Sequence, residues 1–156
     1  MTVAAIYTCA GHQLTDDERS FFKDADPFGF ILFADNIDTP DQVRTLTASL
    51  RETVGRDDVP ILIDQEGGRV ARLTSPQWRS APPAKAFGDL ALCDMEAARR
   101  ATEINARLIA AELYDLGIDV DCAPVLDLSI PGAHDVIGDR SFGSDPDLVI
   151  AIRSGA

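Results

Sequence analysis

The run FGFILF (28–33) is apolar at nearly every position, which suits a strand covered on both faces and therefore a parallel sheet under helices. A sheet with one wet face would alternate apolar and polar residues instead. Similar runs recur at VAAIYT (3–8), VPILID (59–64) and IDVDCAP (118–124), and a helical pattern stands between most of them. Thr15-Asp-Asp-Glu18 is a capping box, in which hydroxyl and carboxylate satisfy the orphan amides of a helix start. Thr39-Pro-Asp-Gln42 opens a second helix, with Val43, Leu46, Leu50 and Val54 forming one apolar stripe. Asp94 caps a third that reaches about Leu116, supported by Ala98, Ile104, Leu108 and Leu116, with Gly117 placed to stop it. Asp145-Pro146-Asp147 begins another.

Strand followed by helix, four times over and without repeats or linkers, gives an α/β fold with parallel strands. A doubly wound sheet of 156 residues would be complete, whereas a (β/α)8 barrel needs about 250. Two long loops follow the third and fourth strands, where a barrel carries its active-site loops. The expected fold is therefore a (β/α)8 TIM-barrel type, this chain covering roughly its first half. Pro76, Pro82 and Pro83 make the first of those loops look too rich in breakers for regular structure.

Hydrophobic residues make up 46% of the chain, enough for a packed core. The formal net charge is −12, so the surface repels phosphate backbones and anionic lipid; neither nucleic acid nor membrane is an expected partner. No apolar run approaches the roughly 20 residues of a membrane span, and the N-terminus lacks the basic region of a signal peptide. Cys9, Cys93 and Cys122 are widely spaced and read as reduced, mostly buried thiols of a cytoplasmic protein. His12 and His134 lack metal-ligand spacing, so no metal and no cofactor are assigned.

The chemistry concentrates in ILIDQEGGRVARL (61–73). Asp64 ends its strand, where both α/β architectures place ligand sites. Glu66, Gly67, Gly68, Arg69 and Arg72 follow. Carboxylates accept from sugar hydroxyls and arginine forks donate to sugar oxygens, while the glycines allow positive φ or close backbone approach. A solvent-facing turn whose charges pair with one another fits the same residues. Asp64 and Glu66, with Cα atoms about 6.6 Å apart on a strand, are poorly placed to flank a scissile bond from two sides. The second loop contributes Asp127, His134, Asp135, Asp139 and Arg140, with Gly138 and Gly143 bracketing a turn that could aim Arg140 inward or use it as an ion-pair partner. Trp78 reads as a packing anchor before a sugar platform.

GFILFADNI, ILIDQEGGRVARL, LGIDVDCAPVLDL and VIGDRSFGSDP, in this order and spacing, closely resemble glycoside hydrolase family 3, and within it the bacterial cytoplasmic β-N-acetylhexosaminidase branch of peptidoglycan recycling. The resemblance implies that residues 1–156 are the N-terminal part of one catalytic domain. The enzyme it implies removes non-reducing terminal N-acetylglucosamine with retention, from carbohydrate substrates of the muropeptide class, and is a monomer at full length. It carries substrate-binding roles onto Asp64, Arg72 and Arg140. It also implies that the family's Lys-His-Phe/Ile-Pro-Gly-His-Gly block, its acid/base pair and its nucleophile lie C-terminal to Ala156, so that no catalytic residue is assigned within this chain. Asp35 stands where the family commonly has Arg. A complete non-catalytic sugar-binding domain and a β-glucosidase-branch enzyme remain as alternatives.

Overall fold

The computed structural model describes residues 1–132 and 134–153. Its elements run β1 (Val3–Tyr7), α1 (Asp16–Ala25), β2 (Pro27–Leu32), α2 (Pro40–Val54), β3 (Ile61–Ile63), α3 (Ala84–Ala91), α4 (Met95–Asp115), β4 (Val120–Asp121) and α5 (Pro146–Arg153). The four strands form one sheet in the order β1-β2-β3-β4, and every pairing is parallel. Sequential order decides between the two closures. A doubly wound sheet reverses direction at a switch point, whereas a (β/α)8 barrel adds each new strand beside the last.

Local signals explain the helices. Thr15 and Glu18 form the capping box of α1. Thr39 accepts from Gln42 N at the start of α2, and Asp94 Oδ1 accepts from Ala97 N at the start of α4. Val43, Leu46 and Leu50 of α2 are fully buried against Phe30, Leu32, Ile61 and Ile63, and Val54 packs beside them. These strand residues face the helices; Ile31, Leu62 and then Asp64 alternate to the opposite face.

Several expectations need correction. Residues 84–91, assigned to irregular loop, form α3. Pro83 occupies the N-cap position, where a missing N–H costs no helical hydrogen bond, so prolines here start a helix instead of preventing one. Gly88 on that helix lies so close to the Phe142 carbonyl that any Cβ would collide with it. On α4 the buried stripe is Ala98, Thr102, Ile109 and Leu113, while Ile104 and Leu108 are exposed. Helical spacing alone could not say which stripe meets the sheet. Cys9 is buried, but Cys93 and Cys122 are exposed. The third and fourth strands are shorter than the apolar runs that announced them. Asp119 N and Cys122 N still donate to Ile61 O and Ile63 O, so the extended backbone continues past β4 at either end.

No described helix is long and apolar enough to cross a membrane.

Candidate functional site

Asp64 leaves the C-terminal end of β3 on the face turned away from the helices, and the chain then doubles back through residues 65–73. Gln65 organises that return. It is buried to 1% exposure. Its Oε1 accepts from Arg72 N at 2.8 Å and Leu73 N at 3.0 Å, and its Nε2 donates to Leu73 O at 3.0 Å. Gly67 and Gly68 turn the corner at φ 94° and 58°. A Cβ on either would strike Pro82 or Pro83, so glycine is required for conformation and for space.

This fold-back brings Arg72 alongside Asp64, with Nη2 donating to Oδ2 at 2.8 Å. About a quarter of each side chain remains exposed, so the pair sits at a rim. The Arg72 guanidinium carbon lies 5.9 Å from the centre of the Phe33 ring, which comes off the neighbouring strand. Arg72 Nε is buried without a hydrogen-bond partner among the described residues, which leaves a donor unspent.

Arg140 arrives one residue further on. Its Nε and Nη2 donate to Glu66 Oε2 and Oε1 at 2.8 and 2.7 Å, a two-pronged ion pair. Those hydrogen bonds push the Arg140 guanidinium above its ordinary value. Arg69 makes the reverse connection, donating to Asp139 Oδ1 at 2.8 Å and to the carbonyls of Asp135, Val136 and Ile137. Two crossed ion pairs thus tie the second loop to the β3 turn. Of the three residues singled out as sugar ligands, Asp64 and Arg72 meet directly, and Arg140 reaches the same strand end through Glu66.

The charge-bearing residue that the sequence analysis did not single out is Asp121. Its Oδ1 accepts from Gln65 N at 2.9 Å. Register pairs it with Ile63, so it shares Ile63's helix-facing side and not Asp64's. Burial pushes its carboxyl up to about 6, opposed by the Gln65 hydrogen bond and reinforced by the negative charges of Asp64 and Glu66. The signal available in the sequence was the alternation in Asp119-Val-Asp121-Cys, which puts both acids on one face of a strand. Asp121 lines a cavity of about 430 Å³ with Glu66, Phe87, Asn105, Ile109 and Arg140. Cys122 falls on the Asp64 side; burial, then the Asp64 carboxylate beside it, pushes its thiol up.

The other candidates lie apart from this centre. His134 Nδ1 accepts from Val136 N in the second loop, and the His12 carbonyl accepts from Gln42 near α2. Trp78 packs on the main core. Asp35 is exposed on a one-turn helix and forms no ion pair among the described residues. Among those residues no group of three or more His, Cys, Asp and Glu side chains could hold a metal ion.

Comparison with known proteins adds four findings. The family description "Glycosyl hydrolase family 3 N terminal domain" matches residues 3–155. A beta-hexosaminidase of Methylococcus capsulatus is 40% identical over 146 residues, covering 94% of this chain and 42% of that protein. The crystal structure of NagZ from Neisseria gonorrhoeae in complex with N-trifluoroacetyl-D-glucosamine superposes with a TM-score of 0.87 at 33% identity, covering 97% of this chain and 46% of that one. A glycoside hydrolase family 3 beta-N-acetylglucosaminidase from Paenibacillus sp. gives a TM-score of 0.80 at 34% identity, over 96% of this chain and 28% of the other. The chain therefore spans less than half the length of the curated relatives it matches.

Proposed function

The chain belongs to glycoside hydrolase family 3, and from that premise we propose that it forms the sugar-gripping half of a β-N-acetylhexosaminidase that releases non-reducing terminal N-acetylglucosamine from peptidoglycan fragments. The observation that carries this reading is the Asp64–Arg72 pair: an acceptor and a donor, a quarter exposed, at the C-terminal end of a parallel strand. A sugar hydroxyl can donate to Asp64, and Arg72 can donate to a ring or acyl oxygen, so both lone-pair and proton demands of a hexosamine edge are met. Phe33 adds an apolar wall beside them. The resemblance to a NagZ structure holding an N-acylated glucosamine analogue supports the same ligand class.

Retaining hydrolysis needs a nucleophile and an acid/base group about 5.5 Å apart across the glycosidic bond. Asp64 and Glu66 are each engaged by a guanidinium, and Glu66 has both oxygens taken. Asp121 titrates in a useful range but faces the helices. We therefore assign both catalysts to the family's later segments, and the 156-residue chain is inactive alone. The full-length enzyme of this proposal is a monomer, and its cytoplasmic location is in keeping with three unpaired thiols.

Adding N-acetylglucosamine to the purified chain should raise its melting temperature, and Asp64→Asn or Arg72→Ala should remove that shift. An unchanged melting curve at millimolar sugar in the wild type would sink the binding assignment. Release of aryl alcohol from an aryl N-acetyl-β-glucosaminide above the buffer rate would sink the assignment of the catalysts elsewhere.

A further inference from the structure

We propose that Asp121 is a positioning residue for the sugar-gripping pair: its carboxylate holds the Gln65 amide, and Gln65 in turn sets the backbone that carries Arg72 opposite Asp64. The inference rests on the sugar-binding reading of Asp64 and Arg72 but adds a residue on the far face of the sheet.

The chain of contacts is continuous. Asp121 Oδ1 accepts from Gln65 N, and the Gln65 side chain grips Arg72 N, Leu73 N and Leu73 O. Gln65 lies between Asp64 and Glu66, so a displacement of its amide moves both carboxylates. The same displacement reaches Arg72 through the buried side chain. A regular ladder would satisfy such an amide with a carbonyl of the adjoining strand, as Cys122 N is satisfied by Ile63 O one step earlier. Here a carboxylate does so, next to two others, although a neutral acceptor would serve the hydrogen bond without the repulsion. That arrangement makes the hydrogen bond charge-assisted and ties the strand end to the protonation state of one group.

The charged and titratable groups facing Asp121 are few. Asp64 and Glu66 approach from the end of β3. Arg140 from the second loop, Asp119 just before β4 and Tyr114 from α4 line the same cavity. Asn105 of α4 also lines it, with an Oδ1 that is buried and unpartnered among the described residues.

The test follows the backbone amides of Gln65, Arg72 and Leu73 by NMR in the 15N-labelled chain. In the wild type all three should shift together with a midpoint near pH 6. Asp121→Asn keeps the acceptor and lacks the charge; it should abolish the titration while leaving the amides protected from exchange. Asp121→Ala should lower protection of all three at least tenfold and weaken N-acetylglucosamine binding about tenfold, the scale of one lost hydrogen bond. Asn should restore binding. The proposal is overturned if Asp121→Ala leaves Arg72 and Leu73 protected, or binds sugar like the wild type. It is overturned equally if the midpoint near pH 6 persists at Arg72 in Asp121→Asn, which decides the matter even where the alanine variant does not fold. A wild type that binds no sugar counts against the sugar-gripping function, whereas the amide titration still decides whether Asp121 governs Gln65 and Arg72.

Discussion

Two buried amides anchor this molecule, and they differ in their surroundings. Asn36, just past β2, gathers the loops of the first two units. Its Nδ2 donates to Cys9 O and Gly11 O, and its Oδ1 accepts from Phe33 N and Thr8 Oγ1. Gln65, just past β3, does the same for residues 72 and 73. Around Asn36 the partners are neutral backbone groups, a hydroxyl and the Cys9 thiol. Around Gln65 stand Asp64, Glu66, Asp121, Arg72 and Arg140. The same device therefore closes a loop in one place and holds charges at a rim in the other. Desolvated charges cost stability even when paired, so their concentration at one strand end points to a use beyond folding.

Removing each amide separates the two roles. Asn36→Leu should have the largest effect, about 3 kcal/mol lost in urea denaturation, because it strands buried donors and acceptors on two loop segments. It should leave any sugar-induced melting shift intact. Gln65→Leu should lose about 2 kcal/mol and abolish that shift, since Arg72 N and Leu73 N are left without their acceptor. Equal effects of both variants on sugar binding would erase the contrast.

Charge removal sharpens it further. Arg140→Ala leaves Glu66, whose side chain is only 10% exposed, with an uncompensated carboxylate. The loss should be about 2 kcal/mol in urea denaturation. Arg44→Ala, which removes surface pairs to Asp41 and Asp115, should leave the denaturation midpoint indistinguishable from the wild type.

The remaining effect is a pH dependence. The folded-state value of Asp121, about 6, lies above its ordinary 3.8, so the native state holds the proton more tightly than the unfolded chain. Its contribution is complete below pH 3.8 and is lost as pH rises through 6. Relative to the wild type, Asp121→Asn should gain about 1 kcal/mol between pH 4 and pH 8 in chemical denaturation, a value reduced from the full linkage figure because the site is only partly buried. A variant that tracks the wild type across that range would show that Asp121 titrates normally.

Much of the fold was legible because its signals are local. Thr15 with Glu18, Thr39 with Gln42, and Asp94 each cap a helix through partners three residues away. Apolar runs marked the strands, and the position of Asp64 at the end of one marked the site. α3 was not legible, because Pro82 and Pro83 break one element and start another with the same chemistry. Nor was the buried stripe of α4, since Ile104 and Leu108 have helical spacing too but meet no sheet. The bond from Gln65 to Asp121 joins residues 56 apart in sequence, and that from Arg140 to Glu66 spans 74. Nothing in either segment announces the other.

The amino-acid sequence by itself determined the alternation of strand and helix, the helix caps and the acid, glycine and arginine content of the β3 turn. Each depends on contacts within a few residues, where backbone geometry leaves few choices. The tertiary structure decided the partners: which arginine meets Asp64, which meets Glu66, and that a third acid reaches Gln65 from behind the sheet. Those pairings follow from parallel register between distant segments, and register is settled by burying Phe30, Leu32, Ile61 and Ile63 together.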